Sequence, residues 1–346
     1  MKITILADLY EDGTHDPTVD QIAEALRLGG HKVSELLVPD DARAVVSGLS
    51  RRKPDLVFHL IEDFGNVKDS HVATAGLLDA LKLPYTGGGP GELFIRGNKG
   101  LAKKILAYDG LKCPDFAVFS LDAELETGGN LRLPMIVKPM DRDASIGIAG
   151  SPLARTVPEL MDRVRAIHRE VEDSALAEEY IEGREFYVGV LGNREPVAFP
   201  PIEMDFSGLP DGSPHVLGYK AKWEKDSPEY KGTRAVLPDL PEDVRARLQK
   251  AALAACRALL VRDYARVDLR LTATQEVYVI EVNANCALEQ ASEFATGAKA
   301  FGLDYPPLIH RIVELACERQ GLPVPHDERA GKKDKRPPGR ARVKEG

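Results

Sequence analysis

From the amino terminus, short apolar runs at period two alternate with longer stretches at helical spacing. Lys2–Asp8 reads as a strand, and Thr18–Gly29 as a helix whose Ile22, Ala25, Leu26 and Leu28 cluster on one side. Lys32–Val38 and Asp55–Ile61 read as strands and Ser70–Leu83 as a helix, so residues 1–95 predict a small parallel α/β domain. The run Thr86-Gly87-Gly88-Gly89-Pro90-Gly91-Glu92 breaks the pattern and predicts a linker. A second α/β unit, residues 96–185, is predicted from a helix over Asn98–Tyr108, strands over Pro134–Pro139 and Ala175–Ile181, and a helix over Val157–Val171. Another strand, Glu185–Leu191, is read as completing this second unit, at its boundary with the third, residues 186–325. There residues 200–235 read as loop, and Pro241–Val261 as a strong helix with Val244, Leu248, Ala252, Ala255 and Leu259 at helical spacing. Two strands, Tyr264–Leu271 and Val277–Asn283, and a helix over Pro307–Arg319 complete it. Residues 326–346 are rich in charge and proline and predict a disordered basic tail.

Composition narrows the class. With 346 residues, 43% hydrophobic and 29% charged, the chain predicts a well-cored protein of two or three domains. Aromatic residues at 6%, with one Trp, argue against a stacking surface for single-stranded nucleic acid. Cys113, Cys256, Cys286 and Cys317 have no metal-type spacing, which suits a reducing compartment. The amino terminus enters a strand without a signal-like core, and no apolar run reaches about 18 residues, so a cytoplasmic protein without a membrane partner is expected. The net charge of −8 is unevenly spread: residues 326–346 hold eight Lys/Arg against four Asp/Glu, leaving −12 on the rest. Such a tail alone would hold nucleic acid weakly and with steep salt dependence. An acidic body that handles phosphates needs local cations.

The strands Tyr264–Leu271 and Val277–Asn283 are separated by a short turn and predict an antiparallel hairpin. Val267, Leu269 and Leu271 share one face and Arg266, Asp268 and Arg270 the other; in the partner strand Tyr278, Ile280 and Val282 oppose Val279, Glu281 and Asn283. Symmetric closure sets Asp268 across from Glu281 and Arg266 across from Asn283. Carboxylates so paired, about 5 Å apart at Cβ, repel each other unless a cation lies between them. Two readings stay open: a solvated charged face neutralised by Arg266 and Arg270, or oxygen ligands for Mg²⁺ bound with phosphates. Lys138, in the apolar run Met135-Ile136-Val137-Lys138-Pro139, favours an anion nearby. Lys99 and Lys222 are further candidate cations, and Asp141–Gly150 could present backbone N–H groups to phosphate. It lacks the ending of a Walker A loop, and Gly87–Glu92 does not fit a dinucleotide fingerprint.

Four segments in order resemble the ATP-grasp superfamily, and within it the D-alanine–D-alanine ligases. They are Leu83–Gly89 with Asn98-Lys99, Leu133–Pro139, Glu178–Phe186, and Arg266-Val267-Asp268 with Ile280-Glu281-Val282-Asn283. The resemblance, over residues 1 to about 320, implies a three-domain α/β architecture: an N-terminal parallel domain, and central and C-terminal α+β domains clasping ATP. It implies an ATP-dependent ligase that phosphorylates a small carboxylate substrate and lets an amine attack the acyl phosphate. Lys99, Lys138, Glu178, Glu179, Ile181 and Glu185 would then hold ATP, with Lys222 at the γ-phosphate. Asp268, Glu281 and Asn283 would hold two Mg²⁺ (or Mn²⁺). Arg266, Lys222 and Ser145 would be catalytic. A homodimer through the N-terminal domain is left open, as is an ATP-binding phosphotransferase or regulator that has lost ligation.

The departures lie in the amino-acid sites. Glu62 stands where the family has a His, Trp223 where it has a Tyr, Ala144 where it has the first Ser of a phosphate loop, and Ala284-Asn285-Cys286-Ala287 where it has Thr-Ser-Pro-Gly. Glu62, Trp223 and Ala287 at these departures, with Glu289 and with Ser292, which matches a family position that binds the acceptor's carboxylate, are the candidate substrate residues. Ala287–Ala300 reads as helical, with Glu289 and Glu293 four apart: either a solvated face or a site for a basic acceptor. Cys286 has no His near it in sequence and reads as structural.

Overall fold

The computed structural model describes residues 1–39, 41–62, 70–121, 131–140, 153–210, 212–217 and 224–324. Its first part runs β1 (Lys2–Asp8), α1 (Thr18–Leu28), β2 (Lys32–Val38), α2 (Ala42–Arg52), β3 (Leu56–His59) and α3 (Ser70–Ala80). The strands form a parallel sheet in the order β2-β1-β3, with Ile3 beside Val33 and Leu56. The middle strand carries five consecutive buried residues because both its faces are covered, as parallel sheets require. Helix α1 buries Val19, Ile22, Ala23, Ala25 and Leu26, whereas Leu28, expected in the same cluster, is exposed at the last turn. Helix α2 was not expected. It buries only Val45, Gly48 and Leu49, too thin a stripe to stand out, and starts where Asp41 accepts a hydrogen bond from the Arg43 N–H.

The predicted linker is mostly structured. Thr86 N–H donates to Val57 O, and Gly89 begins α4 (Pro90–Gly97), with Pro90 at its first position and Glu92 reaching back to the Gly89 N–H. Asn98 caps α5 (Lys99–Tyr108) by accepting from the Leu101 N–H at 2.8 Å. A four-stranded antiparallel sheet follows, from β4 (Phe116–Phe119), β5 (Met135–Pro139), β6 (Leu153–Ala154) and β7 (Ala175–Glu179), in the order β4-β7-β5-β6. Helix α6 (Val157–Glu170) covers it through Leu160, Val164 and Ile167.

The third part runs β8 (Arg184–Leu191), β9 (Val197–Ala198), β10 (Ile202–Asp205), α7 (Pro228–Lys231), β11 (Arg234–Val236), α8 (Glu242–Ala258), β12 (Tyr264–Leu271), β13 (Val277–Ala284), α9 (Glu293–Ala300) and α10 (Tyr305–Gln320). Its strands form an antiparallel sheet, β11-β10-β8-β12-β13, with β9 on β8. Residues 200–235 therefore hold strands where loop was expected, because elements of three or four residues are too short to show alternation. The helix expected over Ala287–Ala300 begins only at Glu293, where Ser292 caps it.

The last helix returns to the first sheet. Leu308, Ile309, Ile312 and Val313 of α10 share one core with Ile3, Ile5 and Phe58. Fully buried Asp263 ties the parts together, accepting from Gly87 N–H at 2.8 Å and from Arg319 at 2.8 Å. Gly88 N–H donates to Asn285 Oδ1 at 2.7 Å, so the loop after β13 is held against the end of the N-terminal unit. Gly87 has φ +85°, and a Cβ there would lie 2.3 Å from Asn285 Oδ1; the position requires glycine. No described helix is long and apolar enough to cross a membrane.

Candidate active site

The hairpin carries the site. β12 and β13 pair with Arg266 opposite Asn283 and Asp268 opposite Glu281, as symmetric closure predicts. A bulge then shifts the register between Asp268 and Leu269, setting Leu269 opposite Val279. It overturns the expected parity of β13: Val279 joins Val282 in the core, while Ile280 lines the cleft beside Glu281. Lys103 bonds the Ile280 carbonyl at 3.0 Å.

This polar face is not a solvated one. Asp268 and Arg270 are 9% and 5% exposed. Arg266 grips Asp268 with two hydrogen bonds, Nε to Oδ1 at 2.7 Å and Nη2 to Oδ2 at 3.0 Å, and its Nη1 donates to Glu293 at 3.3 Å. Its guanidinium lies 4.9 Å from the centre of the Tyr187 ring. Burial pushes the Asp268 carboxyl up to about 6; Arg266 opposes this, and Glu281 and Glu185 add to it. Burial is the larger effect, with the neighbouring carboxylates adding to it.

Three lysines converge from two other elements. Lys99 Nζ, at the start of α5, lies 3.8 Å from Glu281 Oε1. One turn on, Lys103 Nζ sits 2.9 Å from Glu178 Oε2, and Lys138 Nζ of β5 sits 2.8 Å from Glu178 Oε1. Burial alone would raise the Glu178 pKa, but the two lysines outweigh it and hold it near 2. Both Glu178 oxygens are thus engaged by lysines; this carboxylate, expected at the nucleotide, aims Lys138. Glu185 is similarly engaged, by Arg270 and by the Tyr187 hydroxyl, each at 2.5 Å.

Apart from the buried Lys103, these groups line a cleft of about 750 Å³ between the two antiparallel sheets, with Glu179 and Ile181 on its wall. Glu289 and Ser292 border it, and Glu293, expected either on a solvated helix face or at a basic acceptor, lines it in contact with Arg266. The Ser292 hydroxyl accepts from the Ala295 N–H, so it caps α9. A second cavity of about 170 Å³ adjoins the cleft, and Glu62, Arg96, Asn285, Cys286 and Ala287 line both. The Glu62 N–H is fixed by Asp8 at 3.0 Å. Burial pushes the Cys286 thiol up to about 12, which fits a structural cysteine. Ser145, Lys222, Trp223 and the tail from 326 lie outside the described residues.

Among the described residues no three His, Cys, Asp or Glu side chains form a ready-made metal cage. The donor set Asp268, Glu281 and Asn283, two carboxylates and an amide on one face, fits a hard cation that takes its other ligands from phosphate and water. The Glu281 and Glu185 carboxylates, close enough to Asp268 to raise its pKa, fit such a cation too. Sequence reasoning missed Lys103 and the two imidazoles of the second cavity, His59 and His71, and placed Arg270 on the polar face without its partner Glu185. Only Lys103 left a signal, its one-turn spacing from Lys99.

The chain is similar to known proteins over most of its length. The family model described as the D-ala D-ala ligase C-terminus matches residues 105–314. A D-alanine–D-alanine ligase of Moorella thermoacetica is 32% identical, over 86% of this chain and 92% of its own length. An uncharacterised protein of Sinorhizobium fredii is 30% identical over 87% of each chain. Among solved structures, a D-alanine–D-alanine ligase from Bacillus anthracis superposes with TM-score 0.72 at 22% identity, over 93% of this chain and 99% of its own. At that identity the likeness speaks to the fold.

Proposed function

The chain belongs to the D-alanine–D-alanine ligase family of ATP-grasp enzymes, and from that premise we propose that the two joined cavities are the ATP site and the carboxylate-substrate site of an ATP-dependent ligase. The family's reaction couples a small carboxylate to an amine through an acyl phosphate at the cost of ATP. The observation that carries the assignment is the Arg266–Asp268–Glu281 constellation on the wall of the cleft that the smaller cavity adjoins. The reading without ligation is not favoured, since the matches are to ligases over most of the chain.

In this reading Lys138, aimed by Glu178, and Lys99 draw the ATP phosphates into the cleft, with Glu179 and Ile181 at the base and Glu185 near the ribose. Phosphoryl transfer needs alignment and charge neutralisation more than covalent help. Arg266, rigid in its bidentate grip on Asp268, meets the charge that develops on the transferring group and then on the tetrahedral carbon. Lys222 and Ser145 are proposed to assist there. Asp268, Glu281 and Asn283 would hold divalent ions, two in this proposal, which when bound neutralise the β- and γ-phosphate oxygens. The amine substrate enters past Glu289 and Ser292; Glu62, Trp223 and Ala287 border the substrates. The test is incubation with ATP, Mg²⁺ and amino acids, singly and in pairs, following ADP and new masses. ADP release that depends on a pair, with a condensed product, supports the reading. ADP release or a stable phosphorylated product without condensation sinks it.

A further inference from the structure

The smaller cavity lies at the carboxyl ends of β1 and β3, where an open parallel sheet offers its ligand crevice. Its wall includes His59, the last residue of β3, which is 1% exposed; neither ring nitrogen has a hydrogen-bond partner among the described residues. Such a group is rare in a folded protein and calls for an explanation. The Tyr85 ring stands edge-on to it with centroids 6.0 Å apart, and the Tyr85 hydroxyl is engaged by Asp79 and Arg262. The rim is acidic: burial raises the Tyr10 phenol, and Asp16, Asp8 and Glu62 raise it further. Arg96 lines both cavities. A cavity of about 150 Å³ suffices for benzene, so one of about 170 Å³ admits a small amino acid.

We propose that this cavity takes the carboxylate-bearing substrate as a small α-amino acid with a hydroxyl or amide side chain, its ammonium at Asp8, Asp16 and Glu62, its carboxylate at Arg96 facing the cleft, and its side-chain polar group hydrogen-bonded to His59. This rests on the ligase reading above. Burial, with His71 and Arg262 nearby, lowers the His59 pKa to about 4, so at neutral pH the ring offers one N–H donor and one acceptor nitrogen. A hydroxyl can use either. Alanine would leave both orphaned, and a site built to hydrogen-bond its substrate discriminates strongly against the analogue that lacks the group. His59 is thereby a specificity-determining residue.

The experiment pairs calorimetric binding, in the presence of a non-hydrolysable ATP analogue and Mg²⁺, with ADP release in the presence of a panel of amino-acid amine acceptors, using both enantiomers of alanine, serine and asparagine as the donor. One serine or asparagine enantiomer is expected to bind, and to turn over in kcat/KM, at least about tenfold better than alanine. His59→Leu is expected to shrink that ratio to about threefold or less, and His59→Asn to restore part of it. A wild-type protein that prefers alanine, or a ratio unchanged in His59→Leu, overturns the proposal; if the variants do not fold, the wild-type ratio decides alone. Selective binding, lost in His59→Leu, without turnover would leave the cavity assignment standing and remove the ligase reading. Absence of binding by all six amino acids overturns the cavity assignment.

Discussion

Glu178→Gln removes the one negative charge shared by Lys103 and Lys138 while leaving shape almost unchanged. Glu178 and Lys103 are 3% and 2% exposed, so the lysine charge left behind has little access to water. Breaking a buried pair from one side costs about 3–5 kcal/mol. A second route gives a similar size: holding the carboxyl near 2 rather than at 4.5 corresponds to about 3 kcal/mol, at about 1.36 kcal/mol per pH unit. Because the folded-state pKa is depressed, this contribution is complete above about 4.5 and is lost as pH falls towards 2. Urea unfolding of both proteins at pH 7 should show a gap on the order of 3 kcal/mol, narrowing in steps at pH 4 and 3. A gap below about 1 kcal/mol at pH 7, or one independent of pH, would refute the claim that Glu178 is clamped between two charged lysines.

Three further outcomes follow from the same geometry. Arg266→Lys keeps the charge but cannot grip both Asp268 oxygens; kcat should fall by about 10²–10³ while ATP binding, followed by a fluorescent analogue, changes far less. Gly87→Ala forces a side chain into the left-handed region and against Asn285, so a stability loss of about 1–3 kcal/mol is expected, with a raised KM for the carboxylate substrate; unaltered denaturation would contradict the contact. His59, neutral when folded with a pKa lowered to about 4 from 6.5, contributes full stability above 6.5 and loses it as pH falls towards 4. Urea unfolding of His59→Leu should therefore show an acid limb shallower than wild type, by up to about 3 kcal/mol across that window; parallel limbs would refute it.

How far the sequence disclosed this site depends on the range of each interaction. The Arg266–Asp268 and Glu281–Asn283 pairs were legible because a short turn fixes register and period two fixes the face. The bulge was not, since it changes no residue type, and so Val279 and Ile280 were assigned to the wrong sides. Lys103 resembles any helix lysine until the fold delivers Glu178 from another element. His59 sits in an apolar strand and shows its chemistry only when the cavity around it exists. The last helix read correctly as a helix, yet nothing local says that it returns to pack on α1. Local periodicity thus gave the strands and helices that bear the site, whereas the contacts that aim its charges are long-range and leave no periodic trace.

The central claim is phosphoryl transfer to a carboxylate followed by capture of an amine. It is tested most directly by supplying the amino-acid donor with ¹⁸O in its carboxylate, together with ATP, Mg²⁺ and an amine, and weighing the phosphate released. Passage through an acyl phosphate moves one labelled oxygen from each donor carboxylate into inorganic phosphate in step with condensed product. Phosphate that carries no label while ADP accumulates would contradict the account.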